Sequence, residues 1–181
     1  MSERNKSQAT AKDYLILARE MDAIAGKTLK LETRDAEPIA GKISLGLSLQ
    51  AAEIAGKAML RNLGNSVKDI KQNYRNHKLL TLLRDVEQEV RGRPEPEFRH
   101  YHDFLSWAPT IDGTKYWTTV GAYFELHFAR GATAYPRSYF YPDDHPDEGG
   151  FTHPEPIQVV FFLVEYLIEV AENLAALMGQ D

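Results

Sequence analysis

Hydrophobic positions recur along this chain mostly at helical spacing. Tyr14, Leu15, Leu17, Met21 and Ile24 follow Thr10 and Asp13, and predict a helix over 11–26 that reaches towards Lys30. Thr10 with Asp13 resembles a capping box whose acid is slightly short. Pro38 and Gly41 punctuate the chain, and a second helix is predicted over 43–63. There, Leu45, Leu49, Ala52, Ala55, Met59 and Leu63 make an apolar stripe, while Gln50, Glu53, Lys57 and Arg61 make a polar one. Gly64 suits its stop. The polar stretch 65–76 has room for a short helix around 67–72. A third helix is predicted over 77–90, with Leu79, Leu80, Leu82, Leu83, Val86 and Val90 inward, and Gly92 and Pro94 beyond it.

The second half is less regular. Residues 93–114 form a long proline-containing stretch with one helical turn expected around 101–107. Residues 115–130 pull both ways: their Thr, Val, Tyr and Phe content favours strand, and the spacing of Trp117, Val120, Phe124 and Phe128 favours helix. The spacing is followed here, with Gly131 as the stop. A second long loop over 131–156 precedes a last helix over 156–178, which opens on Pro156. The expected fold is all-α: an antiparallel helical bundle of about five helices with two long loops. Residues 11–181 read as a single domain behind a flexible tail at 1–10.

Composition narrows the classes. The chain has 181 residues, enough for one full core, and 43% apolar with 26% charged residues fits a globular domain. Without cysteine there is no disulfide and no thiolate metal site. The apolar run Val159–Val164 is followed by Glu165, Glu169 and Glu172, too short for a span of about 20 residues. No signal-peptide pattern opens the chain, and a cytoplasmic location is expected. The net charge of −5 argues against a globally basic nucleic-acid surface and leaves only a local patch. Glycine-rich phosphate loops, dinucleotide fingerprints and serine elbows are absent from the sequence.

Three groups of residues carry candidate chemistry. Glu53 and Lys57 are one helical turn apart and read as a surface ion pair contributing roughly 0.3–0.5 kcal/mol. Arg75, Asn76 and His77 open the third helix, where backbone N–H groups can receive an anion; equally, Asn76 can cap the helix and His77 pack on a neighbour. The loop 134–144 places four aromatics around Arg137, suited either to stacking on bases and pairing with phosphate or equally to sealing the bundle end or forming a dimer contact. The six histidines have no metal-site spacing, so no metal and no cofactor is expected.

These pieces resemble the HEPN domain (higher eukaryotes and prokaryotes nucleotide-binding). The residues that carry the likeness are Ala52-Glu53 with Lys57-Ala58 one turn on, then His77-Lys78-Leu79 with Leu82 and Leu83, then Phe140-Tyr141-Pro142-Asp143 before the last helix. The resemblance implies an antiparallel bundle, often homodimeric, that binds nucleotide or RNA. It also implies a metal-independent ribonuclease in many members, and a small nucleotidyltransferase partner in toxin–antitoxin pairs. Ribonuclease members use Arg and His with four to six residues between them at a helix end. The strict match here, Arg93 with His100, spans Pro94 and Pro96 and lies away from the last two helices. The expectation is therefore a module degenerate for catalysis, with Arg75, His77 and Arg137 on phosphate and Tyr141 stacking. The alternatives are an active ribonuclease using His100 or His127, and a dimeric interaction protein that uses the Val159–Leu174 face.

Overall fold

The computed structural model describes residues 9–29, 37–74, 78–111, 113–116, 118–128 and 157–179. They form α1 (Ala11–Leu29), α2 (Glu37–Asn62), α3 (Val67–Asn73), α4 (Leu79–Arg91), α5 (Val120–Phe128) and α6 (Ile157–Leu177). Between α4 and α5 lie 3-10 turns at Pro96–Tyr101 and Phe104–Ser106 and a two-residue hairpin, β1 (Thr110–Ile111) and β2 (Thr114–Lys115). The molecule is an all-α helical bundle.

Three helix starts have a local cause. Thr10 and Asp13 do form the capping box: the Thr10 amide donates to Asp13 Oδ2 at 2.7 Å and the Asp13 amide to Thr10 Oγ1 at 3.2 Å. Those bonds, the backbone one first, hold the Asp13 carboxyl below its ordinary range. Ser66 caps α3 by accepting from the Asp69 amide at 3.1 Å. Thr119 opens α5, its Oγ1 accepting from the Ala122 amide at 3.1 Å. α2 ends in a Schellman motif: Gly64 takes φ 104°, the Asn65 amide reaches Leu60 O at 2.9 Å, and the Gly64 amide reaches Arg61 O at 3.1 Å.

The structure moves three sequence expectations. α2 begins at Glu37, so Pro38 and Gly41 lie inside it; a proline in the first turn removes only an N–H that has no partner there. α4 begins at Leu79, two residues later than expected, with Lys78 in the N-cap position and no side-chain cap. Within 115–130 the helical spacing holds from Val120 to Phe128, and the β-forming Val120, Tyr123 and Phe124 sit in that helix, while Lys115 pairs with Thr110 in the hairpin.

α1 also packs differently from its apolar spacing. Leu17 and Ile24 are 49% and 48% exposed, and the buried seam is Ala11, Ala18 and Ala25, at heptad spacing. Small residues let α1 lie close against α2, where the Ser44 hydroxyl donates to Ala25 O at 2.6 Å. α6 buries Val159, Val160, Leu163, Val164, Leu167, Ile168, Ala171 and Leu174 in the same core as α2. The Val159–Leu174 face expected for a partner protein is thus consumed within the chain.

Candidate functional site

Glu53 and Lys57 are not a surface pair. Glu53 is 4% exposed, and Lys57 Nζ donates to its Oε1 at 2.5 Å. Their burial follows from their neighbours on α2: Ala52, Ala55, Gly56 and Ala58 are themselves buried, so the polar stripe read from the sequence turns inward at this level. An ion pair taken out of water is costly unless its geometry is good, which makes this pair a specific feature of the core.

The packing contacts set the direction of each helix. Gly56 of α2 meets Leu82 of α4, and Asn65 beyond α2 binds Glu89 through Nδ2 at 3.0 and 3.1 Å, so α2 and α4 run in the same sense. By that register α4 starts near the level of Glu53. Arg84 pairs with Glu125 at 3.4 Å, while the Leu105 amide donates to Glu87 and Leu105 O lies against Gly121, so α5 runs back along α4. Ala25 meets Ser44, Arg19 meets Glu172, and Asn62 Nδ2 donates to Ala171 O at 3.1 Å. α1 is therefore antiparallel to both α2 and α6, and those two are parallel. The start of α4, the end of α5 and the start of α6 all point towards the same end of the bundle, level with the middle of α2.

Those helix ends flank the two segments that hold the sequence candidates. Arg75, His77, Arg137 and Tyr141 themselves lie outside the described residues. His127 falls in the last turn of α5, at that same end. Among the described residues no cluster of three or more His, Asp or Glu is arranged to hold a metal ion.

Arg93 and His100 belong elsewhere. Arg93 Nη2 donates to Leu63 O at 2.6 Å, satisfying an end carbonyl of α2, and its guanidinium sits 6.0 Å from the Phe98 ring centre. His100 is exposed on the 3-10 turn that packs on α4 beyond its middle. The pair is at the opposite end of the bundle from the start of α4, and its arginine is committed to structure. The sequence spacing alone does not reveal this, because Arg93 acts on a carbonyl 30 residues earlier.

Two clusters escaped the sequence reading. Trp107 stacks on Tyr166 of α6 with ring centres 4.1 Å apart and an interplanar angle of 9°. This clamps the irregular 96–116 segment to the bundle, and burial pushes the Tyr166 hydroxyl up to about 12, with Glu169 adding to the effect. Asp22 sits on α1 between Ala18 and Ala25, inside the small-residue seam; an acid at that spacing was the available signal. Among the described residues no helix is long and apolar enough to cross a membrane. No protein-family model, no curated protein and no solved structure matches the chain.

Proposed function

We propose that this chain is an HEPN-like helical module that binds the phosphate of a nucleotide or RNA and is degenerate for catalysis. The observation that carries this reading is the convergence of helix ends. The start of α4, the end of α5 and the start of α6 point towards one end of the bundle, and they flank both segments bearing Arg75, His77, Arg137 and Tyr141. In this reading Arg75 and Arg137 pair with phosphate oxygens through charge-assisted, bidentate-capable hydrogen bonds. His77 adds a donor, and Tyr141 stacks on a base. The Glu53–Lys57 pair lies on α2 at the level where α4 begins.

The commitment of Arg93 to Leu63 O supports the degenerate character, because the sequence's strict Arg–His spacing is spent on capping a helix. The assemblies that go with this reading are a homodimer and a pairing with a nucleotidyltransferase-like protein of the toxin–antitoxin kind.

Thermal unfolding with a panel of nucleotides and short RNAs, in chelator, tests the proposal. A ligand held only by the native state at about 100 times its Kd adds about 2.7 kcal/mol and shifts Tm by several degrees. No shift with any ligand contradicts it. RNA cleavage in the same chelated samples would instead make the chain a metal-independent ribonuclease, with His127 the histidine at the correct end.

A further inference from the structure

Charge is spread unevenly along this chain. Residues 57–78 hold six Lys and Arg and one acid, Asp69, although the whole chain carries a net −5. α3 lies inside that segment. Val67, Ile70 and Tyr74 form its buried stripe. Lys68 and Lys71, three residues apart, share an outer flank and are both exposed. Among the described residues neither ammonium has an ion-pair partner. Asp69 is turned back to Ser66, whose hydroxyl donates to its Oδ2 at 2.5 Å and accepts from its amide at 3.1 Å.

The path of α3 leads to the start of α4. Asn65, just ahead of α3, binds Glu89, and Tyr74, just behind it, donates to Asp85 Oδ2 at 2.6 Å. The chain therefore travels back along α4, from the level of Glu89 to that of Asp85, and arrives at Lys78, which is exposed at the N-cap position. At 1.5 Å per residue of α4, that descent covers about 15 Å. Asp85 and Glu89 are partly covered and hold Tyr74 and Asn65, while the lysines stand in solvent. The α2 cations of the same segment are occupied: Lys57 by Glu53, and Arg61 by Asn65 O, to which its Nη1 donates at 2.5 Å. The unpaired cations on the descent are Lys68, Lys71 and Lys78, and Arg75 follows Lys71 in sequence.

Unpaired like charges gathered on one flank attract a polyanion, and the acidic remainder of the chain repels it elsewhere. A single nucleotide clusters its phosphates in one place. Cations spread over about 15 Å match a chain of phosphodiesters instead. We infer that the outer flank of α3 is a track for an RNA backbone, on which Lys68 and Lys71 hold successive phosphates of a strand that enters the site at the start of α4. The inference rests on the phosphate-binding reading above and narrows its ligand to a strand of several nucleotides. Lysine contacts of this kind act as point charges on the backbone, so the track sets affinity and salt dependence and leaves base preference unchanged.

Fluorescence anisotropy of the full chain in chelator tests this, with a labelled oligouridylate of about 12 nucleotides as probe. Lys68→Ala/Lys71→Ala is expected to lower affinity about fivefold or more at unchanged Tm. It should also flatten the slope of log affinity against log salt by about 1.4, from two phosphates at about 0.7 each on a single strand. Lys12→Ala/Lys27→Ala makes the same change of charge on two exposed lysines of α1 and should leave both values close to wild type. Uridine monophosphate, followed by calorimetry, should bind more weakly than the strand and equally to all three proteins. Unchanged strand affinity and slope in the α3 variant overturn the track and leave the phosphate site standing. An equal loss in the α1 variant does the same, and so does a monophosphate that binds the wild type as tightly as the strand. A wild type that binds neither probe removes the phosphate site and the track together.

Discussion

Gly56 on α2 lies directly against Leu82 on α4: a side-chain carbon at position 56 would run into a Leu82 methyl and come within 3.4 Å of one on Leu83. Leu82 is 1% exposed, so its methyl has no free space to move into. Alanine would gain about 1 kcal/mol of helix propensity over glycine, while overpacking a tight core costs about 1–3 kcal/mol. Gly56→Ala is therefore expected to destabilise the fold by up to about 2 kcal/mol in denaturant unfolding. The double variant with Leu82→Ala should lose less than the sum of the two single changes, because the shortened side chain leaves room for the new methyl. Strict additivity would mean that α2 and α4 do not meet at this point.

The Glu53–Lys57 pair gives a second stability test. Removing the buried acid strands the Lys57 ammonium, so Glu53→Ala should cost about 3 kcal/mol. The Arg19–Glu172 pair is better formed by hydrogen-bond count, but both side chains are 42% exposed. Arg19→Ala should cost under about 1 kcal/mol. Similar losses for the two variants would show that burial is not what distinguishes them.

Much of this architecture was legible in the chain. The stripe of Leu79, Leu82, Leu83, Val86 and Val90 defines α4 because every one of those positions faces the core, and Gly64 ends α2 because only a glycine takes that φ without strain. Periodicity failed on α1, where it favoured Leu17 and Ile24 over the alanines. Hydropathy rewards size, whereas a close helix–helix seam requires small side chains. The burial of Glu53 was illegible for a related reason: local sequence gives a helix its polar stripe but not the neighbours that will cover it. The site was legible only as residue types in two segments, and what the fold adds is the common end of the helices that flank them.

Arg93 should behave as a structural residue. Arg93→Ala removes a charge-assisted bond to the Leu63 carbonyl and is expected to cost about 1.5–3 kcal/mol in equilibrium unfolding. His100→Ala, on an exposed position, should leave both stability and any RNA binding unchanged. A loss of RNA binding in either variant at unchanged stability would return this pair to the site.

Tyr166 gives the chain an alkaline signature. Its hydroxyl is pushed up to about 12 by burial against Trp107, so the folded state prefers the neutral phenol. That preference is complete below the ordinary tyrosine value of about 10 and is lost as pH rises from there towards 12. Stability measured by denaturant should decline across this window. Tyr166→Phe should decline less, since it has no proton to lose. An equal decline in both proteins would assign the effect to other groups.

Direct binding is the decisive measurement for the phosphate site. A fluorescently labelled oligoribonucleotide is titrated with the wild type and with the Arg75→Ala/Arg137→Ala variant, in chelator and at two salt concentrations. Anisotropy should rise for the wild type, weaken with salt as phosphate contacts require, and fall by about tenfold or more in affinity for the variant at unchanged Tm. Equal affinity of the two proteins, or no binding by either, would contradict a phosphate site at this end of the bundle.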